Sequence, residues 1–269
     1  CKFIDEFNRI QDKVYVRALP VGALTVMEKL LTSVAGRCPP DLCSVEGGMM
    51  TQLVAEGCFM PLDDFVTRNP YLLTDCYMPH VQKAIAFEGH RWAMPTGTDS
   101  FALLWNKNAF RKAGLDPERP PQTFAELTEY AAKLTIRTDH GLEQVGFLPW
   151  QPWDQSEMWG GLFGGKWYDP AQDRVVCGND PGIIRMFEWQ KTFAIAPNDT
   201  APPSPYAADV QKVLSFQQGF GAYASANNPF YSGKVAMQAD GEWQVKFISK
   251  YAPDLDWGVA PIPTPFNDN

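Results

Sequence analysis

Acidic side chains and flat aromatic rings recur in this sequence at places where a folded chain could present them to a small molecule. Asp99 lies in residues 95–100 (PTGTDS), a polar interruption between the extended apolar pieces WAM (92–94) and FALLWN (101–106). Glu46 is followed by Gly47 and Gly48 just after the PDLCS run, and residues without a Cβ let a ligand come close to the backbone. Trp150, Trp153 and Trp159 crowd the chain beyond the apolar run 145–148, an aromatic density greater than one core needs. Gly241 precedes Glu242 and Trp243 where an apolar run gives way to a helical pattern, so its backbone N–H is a candidate donor at a helix start.

Carboxylates and rings together suit a polyhydroxylated ligand, which offers hydroxyl donors and an apolar C–H face. A hydroxyl donating to a carboxylate contributes about 1.5–3 kcal/mol. Burying on the order of 100 Å² of C–H face against a ring adds about 2–3 kcal/mol. Two of each reach about −8 kcal/mol, a micromolar affinity. Plainer roles compete at every position. Asp99 could cap its own turn, Glu46 could be a solvated loop acid, Trp243 could pack a helix start, and at least one of Trp150, Trp153 and Trp159 is expected inside. Trp105 is expected to pack rather than to touch ligand.

Composition removes other classes. The 31 acidic against 23 basic residues give a net charge of −8, which repels a phosphate backbone and sets aside nucleic acid as a partner. With 45% hydrophobic and 13% aromatic residues, the chain is globular rather than disordered. No run approaches the roughly 18 apolar residues of a membrane-spanning helix, and no basic-then-apolar leader opens the sequence. His80, His90 and His140 and the six cysteines show no metal-ligand spacing, and no phosphate-cradling or nucleophile-elbow motif is present, so no metal, cofactor or catalysis is expected. Cys38 and Cys43 are near enough in sequence to be bridged, but most of the cysteines sit in apolar surroundings and are expected as buried free thiols. Cys1 resembles a lipidated terminus only superficially, and the NDT triplet at Asn198 is too short a pattern to carry weight.

The elements that must position these residues alternate. Helical spacing predicts helices over 3–10, 24–35, 49–56, 124–134, 153–163, 183–193 and 241–250. Alternation or short apolar runs predict strands over 13–19, 41–45, 145–148, 235–238 and 257–260, with a crossing strand over 92–106. Helices between strands favour an α/β fold with a mainly parallel sheet, and ligands then sit at the carboxyl ends of strands. Prolines at 202, 203 and 205 mark a loop.

Several stretches, in this order and spacing, resemble the sugar-type extracellular solute-binding family of ABC importers, which includes maltose-binding protein. They are PDLCSVEGG from Pro40, GCFMPLDDF from Gly57, FEGHRWAMPTGTDSFALLWNKNAFRKAGLDPERPPQTFAEL from Phe87, GLFGGKWYD from Gly161 and FYSGKVAMQADGEW from Phe230. The most specific are the WNKNAFRKAGLD…PPQTFAEL and SGKVAM…GEW blocks. The resemblance implies a type II periplasmic-binding-protein-like fold: two α/β lobes, joined by crossing strands, that close like a hinge over a ligand. It puts lobe I at residues 1–106, lobe II at 107–262 and the start of a return crossing at 263–269, in a chain incomplete at both ends. It implies ligand contacts at Glu46 with Gly47, at Asp99, which matches a ligand-contacting acid of maltose-binding protein, and at Trp243, which matches a sugar-stacking tryptophan of lobe II; Trp153, Trp159 and Gly241 are expected to join them on the aromatic crowding and the helix start described above. It further implies a monomeric, exported receptor, periplasmic or at the cell surface, delivering a carbohydrate to an ABC permease. A phosphorylated polyol such as glycerol phosphate is the alternative ligand. A glycoside hydrolase using Glu46 or Asp99 with Glu242 is the alternative class, and its carboxylates would stand about 5–9 Å apart.

Overall fold

The structure is a computed structural model that describes residues 2–22, 25–69, 77–193 and 210–265. The expectations for Cys1, Cys76, Asn198, the loop at 201–205 and residues 266–269 lie outside the described residues. The chain divides into two compact units, Cys1–Thr98 and Asp99–Asn269.

The first unit holds α1 (Lys2–Ile10), α2 (Val26–Ala35), α3 (Met50–Ala55), α4 (Asp63–Arg68), α5 (Pro79–Ala84) and a small antiparallel hairpin, β1 (Ala86–Phe87) with β2 (His90–Arg91). Its buried apolar residues are Leu30, Met50, Leu53 and Ile85. The amphipathic spacing of α1 does make a helix, yet none of its residues is buried and Phe3 is 87% exposed. The strands expected over 13–19 and 41–45 do not form. A strand needs a neighbour to take its backbone groups, and here side chains take some of them: Asn8 Oδ1 accepts from Val16 N and Asn8 Nδ2 donates to Val16 O, both at 2.8 Å. Leu42, read as part of a buried strand, is 90% exposed. The hairpin is tied to α4 where Leu62 N donates to Arg91 O at 2.7 Å and Asp63 Oδ1 accepts from Arg91 N at 3.2 Å. The carboxyl of Asp63 is held below its ordinary range, chiefly by its bond to the His90 ring.

The second unit is built on a five-stranded sheet. In chain order it contains β3 (Phe101–Asn106), α6 (Lys107–Lys112), α7 (Phe124–Lys133), β4 (Ile136–Thr138), β5 (Gly141–Phe147), α8 (Ser156–Leu162), the two-residue strands β6 (Tyr168–Asp169) and β7 (Arg174–Val175), α9 (Pro181–Lys191), α10 (Val210–Gln218), β8 (Val235–Gly241), α11 (Gln244–Tyr251) and β9 (Trp257–Ala260). The sheet order is β4-β5-β8-β3-β9. β5 and β8 are parallel, but β3 runs antiparallel to both β8 and β9, and β4 antiparallel to β5. The expected mainly parallel sheet is therefore a mixed one. Helices do connect strands of one direction, as the periodicity implies, and β3 is inserted between two of them, an insertion that no local pattern reveals. Because β3 pairs within this sheet, it belongs to the second unit.

Caps fix the helix starts. Thr123 accepts from Glu126 N at 3.1 Å and Asp180 from Gly182 N and Ile183 N at 2.8 and 3.0 Å, which satisfies donors that have no partner within the helix. The core is aromatic, with Phe124, Phe147, Trp159, Phe163 and Phe193 buried and Trp189 packed against them. α7 lies so close to β5 that a Cβ placed on Gly146 would stand 2.1 Å from the Ala131 carbonyl oxygen. Backbone on one side and backbone on the other leave nothing to yield, so Gly146→Ala is expected to destabilise the protein by about 1–3 kcal/mol in urea denaturation. The described cysteines Cys38, Cys43, Cys58 and Cys177 are free, as expected, but none is buried: Cys38 is exposed and the others are intermediate. Short apolar neighbours in sequence do not bury a thiol when the segment itself lies at the surface.

Candidate ligand platform

β8 is buried along all seven residues and ends at Gly241, directly opposite Phe101, the first residue of antiparallel β3. One end of the sheet therefore brings together the segments 99–101 and 240–244. Four aromatic residues collect there. Trp243 and Trp153 have ring centroids 5.7 Å apart and planes inclined by 33°, Phe101 meets Trp243 edge-on at 5.7 Å, and Tyr223 meets Trp153 at 4.8 Å. Trp153 and Trp243 are half-buried, so the pair forms a shelf rather than core. The loop carrying Trp153 is pinned to the sheet by Gln155, whose Nε2 donates to Ala239 O at 2.9 Å.

Gly241 makes the shelf sterically possible. A Cβ on it would stand 2.2 Å from Cη2 and Cζ3 of Trp243, so the indole lies flat against a backbone that only glycine leaves bare. The reading of its N–H as a free donor is corrected: Gly241 N donates to Asp240 Oδ1 at 2.8 Å, and the residue is buried.

Acids edge the shelf. Glu242 accepts from Ser100 N at 2.9 Å, and its carboxyl is held below the ordinary range first by that bond, with a smaller contribution from a side-chain bond to Asp99. Asp99 is exposed and stands at the same sheet end as Trp243, so the structure gathers these two residues in one unit instead of dividing them between two. Asp240, by contrast, is 0% exposed. It accepts from Tyr223 Oη at 2.9 and 3.0 Å, Gln244 Nε2 at 2.6 Å and Gln238 Nε2 at 3.1 Å. Burial pushes its carboxyl up to about 6 from 3.8, against the pull of Gly241 N, Tyr223 and Gln244.

Other expectations fare differently. Trp159 is corrected from a ligand-facing ring to a core one: it is 0% exposed, packs on Phe124, Phe147 and Trp189, and donates from Nε1 to Pro149 O at 2.7 Å. Position on α8 decides this, because Trp159 is one turn into the helix on the face turned to the sheet, whereas Trp153 precedes it. Glu46 and Gly47 lie exposed in the first unit, where Glu46 opens a short 3₁₀ turn and its carbonyl accepts from Met49 N at 3.0 Å. The strand whose carboxyl end was to place them is absent. Tyr223 was not anticipated, since the loop GAYASANN carries no periodicity, and only its aromatic character set it apart.

A recess of about 420 Å³ lies elsewhere in the second unit, lined in part by Lys166, Asp169, Arg174, Asn179 and Asp180. Asp180 already caps the start of α9 beside it, so that helix end holds no spare donors for an anion. Among the described residues no group of His, Cys, Asp and Glu is placed to hold a metal ion, and no helix is long and apolar enough to cross a membrane.

The chain has clear relatives. It is 29% identical over 271 residues to the sn-glycerol-3-phosphate-binding periplasmic protein UgpB of Pectobacterium atrosepticum, covering 96% of this chain and 55% of that protein. It is 43% identical over 181 residues to UgpB of Escherichia coli, covering 65% and 36%. Among solved structures it resembles CpMnBP1 with mannotriose bound, with a TM-score of 0.80 and 30% identity over 98% of this chain and 64% of that one. UgpB from Mycobacterium tuberculosis in complex with glycerophosphocholine shares the fold, with a TM-score of 0.70 and 20% identity over 99% and 60%. The chain thus spans about a third to two thirds of the length of these proteins. The sequence model of the family described as bacterial extracellular solute-binding protein matches residues 2–269, and the chain belongs to that family.

Proposed function

We propose that this chain is the ligand-binding part of an exported ABC-importer receptor whose ligand is a neutral sugar or oligosaccharide. The observation that carries the reading is the Trp153–Trp243 shelf with carboxylates at its edge. A sugar's C–H face covers one ring while its hydroxyls donate to Asp99 and Glu242. On the resemblance, Glu46 and Gly47 are proposed as further contacts from the first unit. The receptor delivers its ligand to a permease, works as a monomer and catalyses no reaction.

The relatives divide between two ligand classes: one solved structure holds mannotriose, and the curated proteins are named for sn-glycerol 3-phosphate. The electrostatics of the shelf favour the neutral class. The acids at its edge are Asp99 and Glu242, and a phosphate dianion there faces like charge. Calorimetry on the full-length protein with mannotriose, maltotriose and sn-glycerol 3-phosphate is expected to give micromolar binding of a sugar. Binding of the phosphate alone would replace the sugar reading with the polyol phosphate one.

A further inference from the structure

Tyr223 and Asp240 stand behind the shelf and are not among the ligand contacts proposed above. The Tyr223 hydroxyl accepts from Trp243 Nε1 at 2.5 Å and from Gln244 Nε2 at 2.6 Å, and donates to the Asp240 carboxylate. Both lone pairs and the proton of that hydroxyl are committed. The same residue packs its ring on Trp153 at 4.8 Å, so it touches both rings of the shelf, one by a hydrogen bond and one by ring contact.

We propose that Tyr223 and Asp240 are positioning residues of the platform: the buried carboxylate orients the phenol, and the phenol holds the Trp243 indole in the plane a sugar face requires. The inference rests on the sugar reading for its consequence in binding, though not for its geometry.

The groups facing Asp240 are Tyr223 from the loop before β8, Gln238 and Gly241 N from β8 itself, and Gln244 from α11. Tyr231, whose hydroxyl donates to Gln244 Oε1, lies behind that amide, and Glu242 and Asp99 stand at the strand's end. Among the described residues no Lys, Arg or His bonds to Asp240. Every neighbour offers it a donor, so protonation places a hydroxyl against donors and forces the Tyr223 bond to be rebuilt. Burial brings that protonation up to about pH 6. The sign is opposite for folding and for the platform. A carboxyl raised from 3.8 to about 6 favours the folded state most below 3.8, and that contribution is lost as pH rises through 6, whereas the ordered platform needs the ionised form.

The test reads the indole N–H of Trp243 in the proton–nitrogen NMR spectrum of the full-length protein, assigned by its loss in Trp243→Phe. Across roughly pH 4.5–7.5 the resonance is expected to titrate with a midpoint near 6, to stay flat in Asp240→Asn, and to shift in Tyr223→Phe. With mannotriose as probe, Tyr223→Phe is expected to raise Kd about five- to tenfold, with the parent's affinity falling below pH 6. Parental affinity and an unmoved indole resonance in Tyr223→Phe would overturn the inference even if Trp243→Ala abolished binding, which would leave the sugar reading intact. A parent that binds no sugar counts against that reading, while the titration of its Trp243 resonance still decides this one. A flat resonance in the parent refutes it whether or not either variant folds.

Discussion

Trp243→Ala is expected to raise the Kd for a bound oligosaccharide about 30- to 100-fold while leaving the urea midpoint nearly in place. The affinity loss follows from area: on the order of 100 Å² of sugar face losing its ring forfeits about 2–3 kcal/mol, and each 1.4 kcal/mol is tenfold. The small stability effect follows from position. The indole is half-buried, lies flat on Gly241 rather than in a cavity, and meets Phe101 and Trp153 only at its edge and at a tilt. Removing it leaves the Tyr223 hydroxyl one donor short, but that hydroxyl keeps Gln244 and Asp240. Calorimetry and urea denaturation of the same preparation separate the two quantities. An affinity equal to the parent's would take Trp243 out of the site, and the shelf with it.

The contrast between residues that were legible in the sequence and those that were not has a physical basis. Where an element's hydrogen bonds are local, or its two faces both meet core, the pattern was sufficient. α7 begins at Phe124 after its Thr123 cap, and β8, buried along its whole length, contains the short apolar run expected over 235–238. Long-range pairing was not available in this way. Nothing within FALLWN says that it will lie antiparallel between β8 and β9, and nothing within 13–19 or 41–45 says that no neighbouring strand will be found among the described residues. The site shows the same division. Trp153, Trp243 and Asp99 could be named because ring, acid and glycine neighbours are visible as residue types, and the structure gathers them at one sheet end. The relay behind them could not, because Tyr223 reaches Asp240 across 17 residues through a loop without period, and the value of a buried acid depends on donors contributed by three separate segments.

Trp159→Ala tests the opposite assignment and is expected to cost about 3–5 kcal/mol of stability, the range for truncating a fully buried large aromatic ring. Its ring is 0% exposed and lies among Phe124, Phe147 and Trp189 at centroid distances of 5.0–6.3 Å. The truncation also strands the Pro149 carbonyl, which accepts from Nε1 at 2.7 Å. Those two losses act on the same unit, since the carbonyl belongs to the segment that leads from β5 to the Trp153 loop. Trp159→Phe keeps most of the ring volume and loses only the hydrogen bond and part of the packing, so it should recover more than half of the deficit. Against a typical total of about 5–15 kcal/mol, the alanine variant gives up a large share of the folding free energy, read as a lowered urea midpoint with an unchanged slope. The folded fraction that survives keeps Trp153 and Trp243, so its sugar affinity should stay within about threefold of the parent's. A variant of parental stability with lost affinity would reverse the two tryptophans' roles, because a ring that binds ligand must be reachable and a ring that carries the core must not be.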